Sequence, residues 1–532
     1  MTKGDTHHNS LPRGVALAFI IVALTAVGAR AQTTDDSQTR RPSLLGGIEY
    51  TAEAQISASH GNTPLWLNTN RYGLSSLEST NGYLRASAIR SLDADSAKAL
   101  AVGYGFDIAL PFNYTSNVVV QQAYAELRWL HGTLAVGSKQ HPMELKNNRL
   151  SSGSQTLGIN SRPVPQMRLA LPDYWTLPLT RGWVQMKGHI AYGRMTDQRW
   201  QHVFTEKKSK YVDNALFHSK AGYLRIGGDS RRQPWSIEMG LEMAAIYGGT
   251  AYAKNGDEMT PLIGETGLRG FLHALVPGGF DAGETVYKNV SGDQVGSWVM
   301  RLNYDFPTLA VSLYADKFFE DHSAMLFTDY DGYGEGDEWN EKKHSRYLIY
   351  KLKDMLLGVE IKLKNSRWIS DIVAEYIYTK YQSGPIFHDH TRNISDHIGG
   401  NDNFYNHHIY TGWQHWGQVM GNPLYRSPIY NTTGRIEVEN NRFMAFHLGI
   451  DGHPSPTLDY RLLATWQDGQ GTYLNPYPSP RHNLSLMAEA TYRFTANPLR
   501  GCSIKAAFGL DHGKIYGNNY GMQITISKTM TR

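Results

Sequence analysis

Cysteine is nearly absent: Cys502 is the single one in 532 residues. No intramolecular disulfide is possible, so a small stapled secreted domain is excluded. Charge of one sign is also missing. Lys+Arg 52 stands against Asp+Glu 48, a net +4, and the basic excess of a nucleic-acid binder does not occur. Long apolar runs are confined to Val15–Val27, which falls short of the roughly 20 residues of a spanning helix. Helical periodicity is almost absent. Catalytic signatures are lacking too: "SSGSQTLG" (151–158) misses the second glycine of Gly-x-Ser-x-Gly, no H-E-x-x-H occurs, and no glycine-rich phosphate loop follows a strand. Glu437 and Glu439 lie two apart and would share one face of a strand, which is not the opposed pair that sugar cleavage requires. Neither a catalytic residue nor a cofactor is expected.

What is present begins with an address. Lys3 and Arg13 precede the apolar run, and Ala29-Arg30-Ala31 then supplies a small-x-small cleavage site before Gln32. Residues 1–31 therefore read as a secretory signal peptide, and the polar stretch 32–45 as a flexible segment. Residues 46–532 form the folded unit.

That unit is rich in Gly (52), Tyr (32) and Trp (12), a composition suited to β-structure. Alternation is its dominant pattern. Trp235, Ile237, Met239, Leu241 interleave with Ser236, Glu238, Gly240, Glu242; Leu484, Leu486, Ala488 interleave with Ser485, Met487, Glu489. Period two over about ten residues marks strands with one apolar and one polar face. Fifteen such segments can be counted, near 48–60, 82–93, 98–110, 117–130, 183–193, 217–227, 235–247, 296–306, 308–318, 355–364, 370–381, 441–450, 458–466, 484–494 and 520–527.

Soluble sandwiches and a membrane barrel both alternate in this way. Three features favour the barrel. The strand length matches a tilted crossing of the hydrocarbon layer. Aromatics stand at the ends of apolar faces (Trp235 and Tyr247, Trp298 and Phe306, Tyr492 and Phe494) as in interfacial girdles. The opposite faces carry charge, which suits a polar lumen. Short connections such as Asp305–Thr308 alternate with long ones at 139–181, 248–270, 277–293, 321–346 and 383–440. The expectation is all-β: a large antiparallel transmembrane β-barrel of about 16–18 strands with long extracellular loops. The chain departs from the usual aromatic finish of such barrels by ending Lys528-Thr529-Met530-Thr531-Arg532.

"NDNFYNHHIYTGWQHWGQVMGNPL" (401–424) is the least ordinary stretch. Its histidines suggest metal, but His407 and His408 are adjacent and point to opposite faces of an extended chain, so no metal site is expected. Its tryptophans, tyrosines and asparagines suit stacking on sugar rings and bonding to hydroxyls, and equally suit a loop packed by its own aromatics. In the acidic stretch 329–339, Gly332 follows Asp331 directly, which breaks the calcium-loop pattern. Lys139, Lys146, Arg149, Arg162 and Arg168 suit an acidic polysaccharide, or a balance with Glu126, Glu238 and Glu242 across a lumen.

Four segments resemble signatures of the capsule assembly Wzi family: "HGNTPLWLNTNRYGL" (60–74), "GSKQHPMELKNNRLSSGSQTLGINSRPVPQMRL" (137–169), "GGNDNFYNHHIYTGWQHWGQVMGNPL" (399–424) and "DYDGYGEGDEW" (329–339). The resemblance spans about 45–528. It implies a Gram-negative outer-membrane barrel, loops facing the exterior, that binds capsular or exopolysaccharide without catalysis. Outer-membrane lipid and the barrel assembly machinery are the other implied partners. The candidate carbohydrate-binding residues are Asn401, Asn403, Tyr405, His407, Tyr410, Trp413, His415, Trp416, Arg149 and Arg162. A saccharide or export channel and a metal-dependent surface hydrolase remain as alternatives.

Overall fold

The computed structural model describes residues 44–531, apart from position 97 and the segments 229–232, 256–257, 277–291, 321–324, 326–327, 330–345, 348–352 and 389–396. The signal-peptide reading, nearly all of the flexible segment, the acidic stretch from 330 onward and His390 lie outside the described residues.

Eighteen strands form one antiparallel sheet. In chain order they are β1 (Ile48–His60), β2 (Thr80–Arg90), β3 (Leu100–Phe112), β4 (Val119–Trp129), β5 (Gly132–Ser138), β6 (Gln166–Thr176), β7 (Val184–Arg194), β8 (Leu216–Gly227), β9 (Trp235–Tyr247), β10 (Asp293–Asp305), β11 (Leu309–Phe319), β12 (Met355–Leu363), β13 (Asp371–Tyr378), β14 (Phe443–Ser455), β15 (Leu458–Gly471), β16 (Pro476–Arg493), β17 (Cys502–Gly513) and β18 (Asn519–Thr531). The sheet closes on itself because β1 pairs with both neighbours, Ala54 lying opposite Leu84 on β2 and Ile526 on β18. Closure removes every edge, as a strand-built wall in lipid requires.

Side-chain alternation decides which face is wet. Along β10, Trp298, Met300, Leu302 and Tyr304 are exposed, and along β17 so are Ile504 and Phe508. The same outward rows continue around the wall with Leu313, Phe446, Leu448 and Met522. A continuous apolar belt of this kind exceeds any patch that a water-soluble monomer presents. The inward rows hold Asp107, Glu242, Asp316 and Glu375, all buried. One expected girdle residue does not serve as such: Tyr247 is buried at the end of β9.

Both described termini lie at one end of the barrel with connections of two to nine residues, and the long connections lie at the other, together with the short ones at 113–118, 472–475 and 514–518. The last strand runs through Thr531, opposite Glu49. The C-terminal residues up to there therefore belong to the wall and are not an extension beyond it.

Candidate functional site: the packed lumen

Three long connections turn into the barrel. The first, 61–79, carries a helical turn at Leu65–Asn68 whose four residues are all buried. The Leu65 amide donates to Asp511 at 3.0 Å and Trp66 Nε1 to Thr465 at 3.1 Å. The second is 139–165. Ser151 and the Ser152 amide donate to Glu375 on β13 at 2.5 and 2.8 Å, and the Gln155 amide donates to Asp316 on β11 at 3.0 Å. The third is 402–442, where positions 410–425 are buried throughout. Its local folding follows from its residues. Gln414–His415 pairs with Gln418–Val419 across Trp416 (φ 56°) and Gly417 (φ 76°), a two-residue turn with positive φ at both positions.

Segments 139–165 and 402–442 clasp each other. Trp413 Nε1 donates to the Thr156 carbonyl at 3.0 Å, and Asn422 Nδ2 to Ser152 Oγ and the Gly153 carbonyl at 3.1 and 3.0 Å. Asn160 donates to the Val419 carbonyl at 3.0 Å, and the Tyr405 hydroxyl to the Gln155 carbonyl. Buried backbone that has left the sheet must find partners, and the asparagines, glutamines and serines of these segments supply them.

Apart from Asn401, the candidate sugar-binding residues fall within this plug. Tyr405 stacks on Tyr425 with centroids 4.0 Å apart, and Trp413 is 1% exposed. Trp416 packs with Trp200 and Ile436, and the Arg162 guanidinium covers its face at 4.0 Å. Tyr410 donates to the Gly248 carbonyl at 3.2 Å. Asn403 accepts from Asn441 at 2.7 Å and from Asn406 at 3.1 Å. Asn401 ends a short strand, His397–Asn401, that pairs with Ser383–His388. The stacking platform expected of Tyr405, Tyr410, Trp413 and Trp416 is therefore not what the structure builds, because protein covers these rings. Arg149 differs from the rest: it pairs with Asp451 at 3.1 Å and is 38% exposed along its side chain.

The histidines likewise have structural partners. His407 Nδ1 accepts from the amides of Ile409 and Tyr410, both at 3.0 Å, so that nitrogen carries no proton. Burial, reinforced by Lys210, pulls the His407 pKa down to about 3. His415 sits between the carbonyls of Arg162 and Thr196 at 2.8 and 2.6 Å, and burial lowers its pKa to about 4. His408 is exposed while His407 is buried. Among the described residues, no group of three or more His, Cys, Asp or Glu side chains is placed to hold a metal ion.

The basic residues of 139–149 are largely matched by carboxylates of the wall. Lys139 pairs with Glu126 at 2.5 Å and Lys146 with Asp316 at 2.7 Å. Lys187 on β7 reaches back to Glu144 at 2.5 Å. Glu238 takes Arg225 instead, and Glu242 accepts from Tyr223 at 2.8 Å. Two cavities among the described residues border these groups. A vestibule of about 660 Å³ lies toward the short-turn end, between residues 143–149 and the wall, lined among others by Lys187, Arg225, Arg301 and Lys362. A smaller cavity of about 110 Å³ lies deeper, between 139–164 and strands β6–β8. The sequence points to Arg168 but not to Lys187, Arg225 or Lys362, whose signal is a cation on the inward parity of a strand.

No family model matches the chain, and no curated protein matches it either. Solved structures do. One is Wzi, an outer membrane protein involved in group 1 capsule assembly in Escherichia coli and described as a carbohydrate binding beta-barrel. It aligns with TM-score 0.52 and 12% identity over 91% of this chain and 85% of that one. The fold is that of an outer-membrane β-barrel. Two Pseudomonas aeruginosa proteins also align: OccK8 (OprE), with TM-score 0.45 and 8% identity over 91% and 98% of the two chains, and OccK10 (OpdN), with 0.44 and 7% over 92% and 99%. The chain thus shares its architecture with Wzi, the protein whose family its signature segments resemble.

Proposed function

We propose that this protein is a plugged barrel of the Gram-negative outer membrane that binds capsular or exopolysaccharide at the cell surface and performs no chemistry on it. The observation that carries this reading is the packed lumen. Three segments, hydrogen-bonded to the wall and to one another, occupy the space through which a channel would conduct. The likeness to Wzi, a carbohydrate-binding barrel, supports the same reading.

Glycan contact then belongs to the rim at the long-loop end, which faces the exterior in this reading. There Arg442 lies over Tyr473 at 3.7 Å and Arg481 over Tyr477 at 3.9 Å. Tyr473 and Tyr381 are each 37% exposed, and His408, Thr432, Thr433 and Arg435 are exposed nearby in sequence. Rings and guanidinium groups of this kind offer apolar faces and anion-pairing donors to an acidic sugar. The test is retention of polysaccharide by cells producing Tyr473→Ala/Arg442→Ala. Loss of retention with normal barrel assembly supports the rim. Full retention rejects it.

A channel is the second reading, favoured by the 660 Å³ vestibule. Planar-bilayer recording distinguishes the two, since the plugged barrel gives no stepwise conductance.

A further inference from the structure

The smaller cavity has an unusual charge balance. Its lining includes Arg162, Arg168, His141 and His189, with Glu144 as the one carboxylate. Glu144 is already held by Lys187 at 2.5 Å. Arg162 is 7% exposed, and its guanidinium has only Thr115 Oγ1 at 3.1 Å and the Trp416 face, while its Nε has no hydrogen-bond partner. Among the described residues, Arg168 has no carboxylate within 4 Å. The space around Arg168 follows from the register. Its ladder neighbours on the two adjoining strands are Ala135 and Ala191, and Ser219 lies opposite Ala191. Directly opposed side chains sit about 5 Å apart, so three small residues in one row leave a void beside one long cation.

An unpaired charge held away from water is costly, and proteins ordinarily pair it. Two arginines line one cavity, Arg162 buried and Arg168 half-buried, with imidazoles beside them and Glu144 as the one carboxylate, a donor set suited to an oxyanion. Planar forks of donors match oxyanions well. The volume of about 110 Å³ holds several waters or one tetrahedral anion. Glu144 lines both cavities, so the vestibule adjoins the site.

We infer that Arg162 and Arg168 form a buried site for a small inorganic oxyanion, of sulfate or phosphate type, between segment 139–165 and the barrel wall. The bound anion would tie the plug to β6. It is independent of the rim proposed for polysaccharide.

The test is thermal unfolding of the detergent-purified full chain in sodium sulfate, in sodium phosphate, and in sodium chloride at matched ionic strength, with glucuronate as a sugar-borne carboxylate. A ligand that binds only the native state raises Tm saturably. Sulfate or phosphate is expected to give such a rise, and chloride and glucuronate none. Arg168→Gln should abolish the rise, whereas Arg225→Gln, which breaks the vestibule pair with Glu238, should keep it. Calorimetric titration of sulfate gives a second readout, and Arg162→Gln serves if Arg168→Gln fails to fold. An equal rise in chloride, or a rise retained in Arg168→Gln, overturns the site. A rise with glucuronate but not sulfate overturns its assignment to an inorganic anion.

Discussion

Substituting Lys146 by methionine tests whether the plug is bound to the wall by charge. The ammonium lies 2.7 Å from Asp316 Oδ2, and the two side chains are 2% and 0% exposed. Asp316 also accepts from the Gln155 amide at 3.0 Å, but its other oxygen has no hydrogen-bond partner. Methionine keeps the volume of the stem and removes the charge, leaving a buried carboxylate with one N–H donor. Breaking one side of a buried pair costs about 3–5 kcal/mol, more than the intact pair itself contributes. Because Lys146 also borders the vestibule, water reaching that point would place the cost near the lower figure.

The penalty falls on plug docking, since the wall keeps its own ladder bonds. Native-state hydrogen exchange reports such local opening. At 1.36 kcal/mol per tenfold, amides around Gln155 should exchange roughly 150-fold to several thousand-fold faster in Lys146→Met. Amides of β14–β16 should be unchanged. Adding Asp316→Asn removes the orphaned charge and should recover much of the protection. Protection of 150–158 within tenfold of the parent protein, or a double variant no better than the single one, would refute the reasoning.

His407 gives a pH dependence of known sign. Its folded pKa of about 3 lies below the unfolded value near 6.5. The unfolded state therefore binds the proton more readily, and stability is complete above pH 6.5 and falls as pH drops toward 3. By pH 5 the loss reaches about 2 kcal/mol, read as faster exchange at Ile409 and Tyr410, and His407→Asn flattens that slope. Trp413→Ala should cost about 3–5 kcal/mol of docking stability, seen as protease nicking within 402–442. Trp413→Phe should cost less, the loss being chiefly the bond to Thr156. Gly421→Ala places a methyl group on the Tyr405 hydroxyl and the Gln155 carbonyl, and should loosen the clasp by about 1–3 kcal/mol in the same proteolysis assay.

The barrel was legible because a half-buried strand writes its two faces into alternate residues, and most strands here do so. The three left unread each lack that pattern for a physical reason. β5 is only seven residues long. β6 carries Pro172 where its register with β7 shifts between Leu171 and Trp175. β17 spends several positions on Ala and Gly (Ala506, Ala507, Gly509, Gly513), which mark neither face. Strand β16 runs longer than its alternation suggested because Pro476–His482 extends beyond the apolar belt.

The plug was harder to read, because a sugar-binding surface and a buried polar loop draw on the same residues. Both need rings, amides and hydroxyls. What separates them is charge. From Thr411 to Tyr425 no Asp, Glu, Lys or Arg occurs, nor from Leu150 to Ser161, although such residues dominate surfaces exposed to water. These two charge-free tracts are the ones that meet inside the barrel, through Trp413 and Thr156, Asn422 and Gly153, Asn160 and Val419. The basic residues gather just outside them, at 139–149 and at Arg162, where wall carboxylates or the small cavity receive them. A plug whose amides are committed to its own backbone has few left for a ligand. Under the proposed function, recognition is therefore assigned to residues the plug does not need, the arginine–tyrosine pairs of the rim.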